Sequence, residues 1–240
     1  MKKLWCALVC LIPLAGVANN DISKVNQSVH VEAGETVGDI ASVNGSIDVA
    51  DGATADEVKT VNGSVSIGDR AAAGSVSTVN GGIRVGEQSK VAEIETVNGK
   101  LQVGPGTQIS NGVSAVNGTI SLARAANVSG RVENVNGKIA LEAAHVASGI
   151  ETTNGDVEIG AGSKVEGGIL VEKPRGQSWG GSNRRPPVIV IGPDAIVQGE
   201  LKFEQPVRLY VSNSARIGAV TGATAVTFTG DRPDLTAVEK

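Results

Sequence analysis

Val43-Asn44-Gly45 returns as Val61-Asn62-Gly63, Val79-Asn80-Gly81, Val97-Asn98-Gly99, Val116-Asn117-Gly118 and Val135-Asn136-Gly137, and again as Thr153-Asn154-Gly155. Successive asparagines stand 18, 18, 18, 19, 19 and 18 residues apart. A degenerate copy, Val25-Asn26-Gln27, lies 18 residues upstream of Asn44. Self-similarity at a fixed period of this length marks one small unit stacked along a rod.

Alignment of the copies shows what the period preserves. Counting the valine of the triplet as position 1, positions 1, 5, 7, 13 and 16 are aliphatic, as in Val43, Ile47, Val49, Ala55 and Val58, or Val79, Ile83, Val85, Val91 and Ile94. Position 11 is mostly small: Ala53, Ala71, Ser89 and Thr107. Ile47-Asp48-Val49 and Val65-Ser66-Ile67 alternate like strands with one buried face. Helical spacing is absent, and Gly or Asn interrupts every run.

Short strands joined by tight corners, with a circuit of about 18 residues, describe one coil of a single-stranded β-solenoid. The Asn-Gly pair is expected to supply a corner, since both residues enter the left-handed region, with the valine beside it starting a wall. In-register stacking places Asn44, Asn62, Asn80, Asn98, Asn117, Asn136 and Asn154 about 4.7–4.9 Å apart, a structural ladder joined by side-chain amides. A lone coil buries too few side chains to offset the entropy of fixing its backbone, so stability accumulates by stacking.

Residues 1–18 read as a signal peptide: Met1-Lys2-Lys3, an apolar stretch from Leu4 to Leu14, then small residues in Gly16-Val17-Ala18. The apolar run is short for a spanning helix, and nothing later resembles a membrane span. Cys6 and Cys10 both lie in this segment, so the mature chain has no disulfide. Val9 argues against lipid attachment at Cys10, which wants a small residue before it. The mature chain carries 19 basic against 25 acidic residues, a net charge of −6, which argues against general nucleic-acid binding. Its aromatic residues, Trp179, Phe203, Tyr210 and Phe228, fall in the last third. A narrow aliphatic solenoid is expected to have no room for rings, so they mark a change of architecture or an end cap.

Residues 19–171 form the Val-Asn-Gly coils, the fifth to eighth of which gain a residue after position 13. Residues 172–187 break the period with a loop rich in Pro, Gly, Arg and Trp. The register resumes in residues 188–230, where Ile191-Gly192-Pro193-Asp194-Ala195-Ile196-Val197-Gln198-Gly199 repeats Ile159 to Gly167; residues 231–240 are a polar tail. About ten coils result, a rod on the order of 50 Å long that Val220 to Phe228 would close.

The segment Val188 to Gly222, with its Ile-Gly-x-x-Ala-x-Val-x-Gly register, resembles the bactofilin family of polymer-forming β-helical proteins. The Val-Asn-Gly coils resemble secreted, adhesin-like β-strand repeat proteins of bacteria. These resemblances imply a right-handed β-helix that self-associates end to end, although the circuit length itself suits either hand. A signal peptide departs from typical bactofilins; it argues against a cytoskeletal role and leaves polymerisation open.

No catalytic constellation is visible. His30 and His145 read as solvated, no nucleophile with a base and orienting group stands out, and no paired carboxylates of a glycosidase can be identified. Asp51, Asp69 and Glu87 stack in three coils, but Ala33 and Pro105 break the row, which reads as a solvated acidic edge rather than a metal site. No cofactor is expected. The loop is the candidate partner-binding element, because Lys173, Arg175, Arg184 and Arg185 surround Trp179, the residue types that anchor interfaces. The expectation is an exported, non-enzymatic β-helical scaffold of the periplasm, cell envelope or extracellular space that associates with itself. The alternative is an adhesin-like module that binds an envelope polysaccharide or a protein through residues 172–187.

Overall fold

Alternation decides the local structure. Ile47-Asp48-Val49 forms a three-residue strand with Ile47 and Val49 buried and Asp48 outside, and Val65–Ile67, Ile83–Val85 and Leu101–Val103 repeat it. The computed structural model describes residues 20–174 and 185–235, and in it these strands stack in parallel to form an all-β solenoid. Ile47 pairs with Val65, Val65 with Ile83, Ile83 with Leu101 and Leu101 with Ile120, so each step along this wall is one coil. The wall runs from Val29–Val31 to Ala225–Phe228 and contains 11 strands among the described residues, one more than the sequence count of coils suggested. The additional strand is Ala225–Phe228, in the segment that the sequence reading treats as a closure.

The rest of each coil builds a second parallel wall of 17 strands. Its early members, Thr54–Asn62, Ala72–Asn80 and Lys90–Asn98, run nine residues without a break. In the next coil the extra residue splits the strand into Gln108–Ile109 and Val113–Asn117 around Ser110-Asn111-Gly112. The split recurs in every later coil down to Arg216–Ile217 and Val220–Thr221, so one inserted residue becomes a seam along the rod. The core between the walls is a continuous aliphatic column from Val29 to Val211. Among the described residues no helix is long and apolar enough to cross a membrane.

The Asn-Gly corner differs from the sequence expectation. At the triplet corner only Asn26 (φ 59°) and Gly137 (φ 125°) have positive φ among the described residues, whereas a different corner is left-handed in successive coils, at Gly34 (φ 72°), Gly52 (φ 68°), Arg70 (φ 55°), Gln88 (φ 54°), Gly106 (φ 68°) and Ala125 (φ 58°). The triplet glycines are needed for space instead. A Cβ on Gly63 would lie 2.2 Å from the Gly45 carbonyl oxygen, on Gly81 2.0 Å from that of Gly63, and on Gly99 1.9 Å from that of Gly81. Successive coils touch main chain to main chain at this corner, which only glycine allows.

The triplet valine also departs from expectation. Val43, Val61, Val79 and Val97 are half-buried on the outside, and the inward position belongs to the preceding Ser42, Thr60, Thr78 and Thr96. The period of two explains this, because Ile40, Val58, Val76 and Ile94 face inward two residues earlier. Each hydroxyl donates to a carbonyl of the previous coil: Ser42 to Gln27 at 3.2 Å, Thr60 to Gly45 at 2.9 Å, Thr78 to Gly63 at 2.9 Å and Thr96 to Gly81 at 3.2 Å. Asn134 does the same to Gly118 through Nδ2 at 2.9 Å. A buried polar line thus runs inside the aliphatic core, with these hydroxyl and amide donors paired.

Two readings of the C-terminal third need correction. Phe203 and Tyr210 are both buried, 5% and 2% exposed, so the later coils do hold rings, and Gly222 of the final coil lies against the main chain of Phe203. Val220 to Phe228 is one more coil rather than a lid: Val220–Thr221 pairs with Leu201–Lys202, and Ala225–Phe228 with Leu209–Ser212.

Candidate functional site

Three features stand out from the repeating rod: an asparagine edge, the insertion on that edge, and a trough on the seam. Along the edge, the side-chain Nδ2 of Asn44 donates to Asn26 Oδ1 at 2.7 Å, Asn62 to Asn44 at 2.8 Å, Asn80 to Asn62 at 2.9 Å and Asn98 to Asn80 at 3.0 Å. Asn117, Asn136 and Asn154 continue it at 3.0, 2.9 and 3.0 Å. The seven triplet asparagines and Asn26 are therefore one unbroken chain of amides.

The insertion replaces the next rung. Ile150 and Thr152 pair with Ile169 and Val171, which places Lys173 one coil beyond Asn154 in the same column. Lys173 and Arg185 are exposed at the base of the loop. Asp156 ties the returning chain down: its Oδ2 pairs with Arg185 at 2.5 Å and its Oδ1 accepts the Val188 N–H at 2.9 Å. Gln205, not singled out in the sequence, donates through Nε2 to the carbonyls of Thr153 and Glu172 and so bridges three coils at this corner. Arg175, Trp179 and Arg184 lie outside the described residues.

The acidic edge has a structural use. Asp51 Oδ1 accepts the Asp69 N–H and Asp69 Oδ1 the Glu87 N–H, both at 2.8 Å, so these carboxylates staple one turn to the next. His30 lies 2.9 Å from Asp48, and His145 contacts Asn127 at 2.6 Å and Glu166 at 3.2 Å. Glu166 is held below the usual carboxylate range, first by the hydrogen bond from Lys164 and then by that from His145.

A second column faces outward from the wall that carries the seam: Lys59, Ser77, Glu95, Ser114, Glu133, Glu151, Leu170 and Lys202. Partial burial raises the Glu95 carboxyl above its ordinary value of 4.5, helped by repulsion from Glu93 and Glu133. Burial likewise raises Glu151, with repulsion from Glu133 and Glu172 outweighing the opposing pull of Arg131. A raised value means that the folded rod holds more protons than the unfolded chain in the interval that begins near 4.5. Stability from these two groups therefore falls as pH rises through that interval. Glu95→Gln is expected to flatten this dependence and to raise Tm at pH 7 by about 1–2 °C, the scale of a solvent-screened surface effect in a chain of this length. Thermal melts at several pH values check it, and an unchanged slope would refute the assignment.

The trough is a cavity of about 200 Å3 where the seam crosses the coils between Arg131 and Lys202. Gly149 and Gly168 line it together with Glu151, Leu170, Glu200 and Lys202. Arg131 pairs through Nη1 with Glu151 at 2.7 Å and with Glu133 at 3.6 Å, and Lys202 pairs with Glu204 at 3.0 Å. None of these residues was singled out in the sequence, although the glycine pair 19 residues apart is its trace. Comparison of the chain with protein-family models, with curated proteins and with solved structures finds no match.

Proposed function

We propose that this chain is an exported, non-enzymatic structural rod of the cell envelope that joins a second copy through its C-terminal coil. The observation that supports this most is the state of that coil. Ile217, Val220 and Ala225 are half-exposed, whereas Val197, Leu201 and Leu209, their partners one coil earlier, are 1%, 0% and 1% exposed. Val226, on the outer face of the last strand, is 46% exposed.

Two of this coil's three strands are also undefended, Arg216 being the one charged residue on its edge. From Ala219 to Gly230 no residue is charged and none is proline, and the run is rich in Thr, Ala and Val. Natural sheet edges that must stay single carry lysine, proline or a bulge, because an open row of backbone donors and acceptors templates another strand. A second copy stacking here would extend both walls and bury the half-exposed aliphatics.

Light scattering and negative-stain microscopy of residues 19–240 across a concentration series test the proposal. Concentration-dependent end-to-end multimers are expected. Ala225→Lys, whose long side chain can reach solvent from this half-exposed position in the single rod but not in the joint, is expected to return them to monomers with an unchanged circular-dichroism spectrum. A monodisperse single rod at every concentration would overturn self-association. It would favour the second reading, a binding module for an envelope polymer or protein through residues 172–187, which draws on the exposed Lys173 and Arg185 at the loop's base.

A further inference from the structure

The trough exists because side chains are missing from one column of the seam. The backbone bonds Val132 N–H to Gly149 O, Ile150 N–H to Gly168 O and Ile169 N–H to Glu200 O place Arg131, Gly149, Gly168 and Glu200 in file, one per coil. Two adjacent coils therefore offer bare main chain, and the first side chains beyond the gap are a cation at one end and a carboxylate at the other. Three coil steps separate Arg131 from Glu200, about 14 Å along the rod at the usual strand spacing.

The glycines cannot be exchanged for larger residues to fill this gap. A Cβ on Gly168 would lie 2.0 Å from the Glu200 carbonyl oxygen, and one on Gly149 2.8 Å from that of Gly168. Beside the gap, Leu170 supplies a half-buried apolar side, with Glu151 and Lys202 before and after it in the neighbouring column. In the gap's own column the charge runs from Arg131 to Glu200, while Glu151 and Lys202 beside it carry the opposite signs. Both contacts of Arg131 use Nη1, and its remaining guanidinium donors suit a carboxylate. Glu200 accepts a hydrogen bond from the Thr221 hydroxyl at 2.7 Å through Oε1, leaving Oε2 for a cationic donor.

We infer that the trough is a binding site for a short zwitterionic peptide, its terminal carboxylate at Arg131, its ammonium group at Glu200 and a small side chain against Leu170. The volume of about 200 Å3 is below the ~300–1,000 Å3 of sites for larger ligands, which restricts the occupant to about two small residues. A neutral or singly charged ligand of the same size leaves one end of the trough unmatched, so recognition depends on both termini.

Titration of 15N-labelled residues 19–240 with L-alanyl-L-alanine, and with the N-acetylated and C-amidated forms as controls, tests this. Saturable shifts are expected at the amides of Gly149, Glu151, Gly168, Leu170 and Lys202, with each blocked form weaker by about tenfold. Glu200→Gln is expected to remove the penalty for N-acetylation while keeping that for C-amidation, and Arg131→Gln the reverse, with melts confirming that both variants fold. No saturable shift up to about 20 mM peptide, or equal binding of free and blocked forms, would overturn the site.

Discussion

Gly81→Ala is expected to destabilise the rod by at least about 3 kcal/mol, well above the usual cost of a single added methyl group. The new Cβ would lie 2.0 Å from the Gly63 carbonyl oxygen and 2.6 Å from its carbon, both backbone atoms that cannot rotate away. Relief requires the two coils to separate, which breaks the Gly63 N–H to Asn80 carbonyl bond at 3.1 Å beside it. Gly52→Ala is the control. Gly52 is left-handed, with φ 68°, but a Cβ there meets nothing within 4 Å, so the expected cost is only the intrinsic one of about 1 kcal/mol. Arg70 and Gln88 occupy equivalent positions in the next two coils with similar φ, so the corner accepts side chains. Urea denaturation followed by circular dichroism separates the two cases, and equal effects would refute the close-approach account.

Thr78→Val is expected to cost about 1–3 kcal/mol, although it makes the buried surface more apolar. Thr78 is 3% exposed and its hydroxyl donates at 2.9 Å to the Gly63 carbonyl. Valine preserves the shape and removes the donor, leaving a carbonyl in the core without that partner. Thr78→Ser keeps the donor and loses only a methyl group, so it should retain more stability than valine. A valine variant as stable as the parent would show that the hydroxyl line is incidental. Because each coil contacts only its neighbours, either variant can also divide the rod into two separately melting blocks, visible as a broadened transition.

The rod itself was legible because two periods coincide in its sequence: about 18 residues between asparagines, and two within Ile47-Asp48-Val49. The role of Gly45 and its copies was not. A glycine that needs a positive φ and one that needs an empty Cβ position are the same letter, and only the neighbouring coil tells them apart. Thr78-Val79 misled for a related reason. Both residues suit strands, and the apolar one invites an inward reading, but the register set by Val76 sends threonine inward. The trough was hidden because it consists of absences at Gly149 and Gly168, which line up only after the one-residue lengthening of the later coils is placed. Phe203 and Tyr210 are buried within the later coils, so scarcity of aromatic residues alone did not predict their surroundings.

The amide chain on the asparagine edge has a direction. All seven bonds from Asn44 to Asn154 run from the Nδ2 of the later residue to the Oδ1 of the earlier one. Backbone bonds between coils run both ways, as Val29 N–H to Ser46 O and Ala50 N–H to Val31 O show, so their moments largely oppose one another, whereas the side-chain moments add. The edge is thus a long electric dipole outside the backbone, with its positive pole at Asn26 and its negative pole at Asn154. Lys173, one coil beyond by extension of the register, carries the sign of charge that suits the negative pole, as a basic residue does at the C-terminus of a helix. The insertion begins where this axis ends, so the rod presents chemically distinct poles to anything that approaches along it.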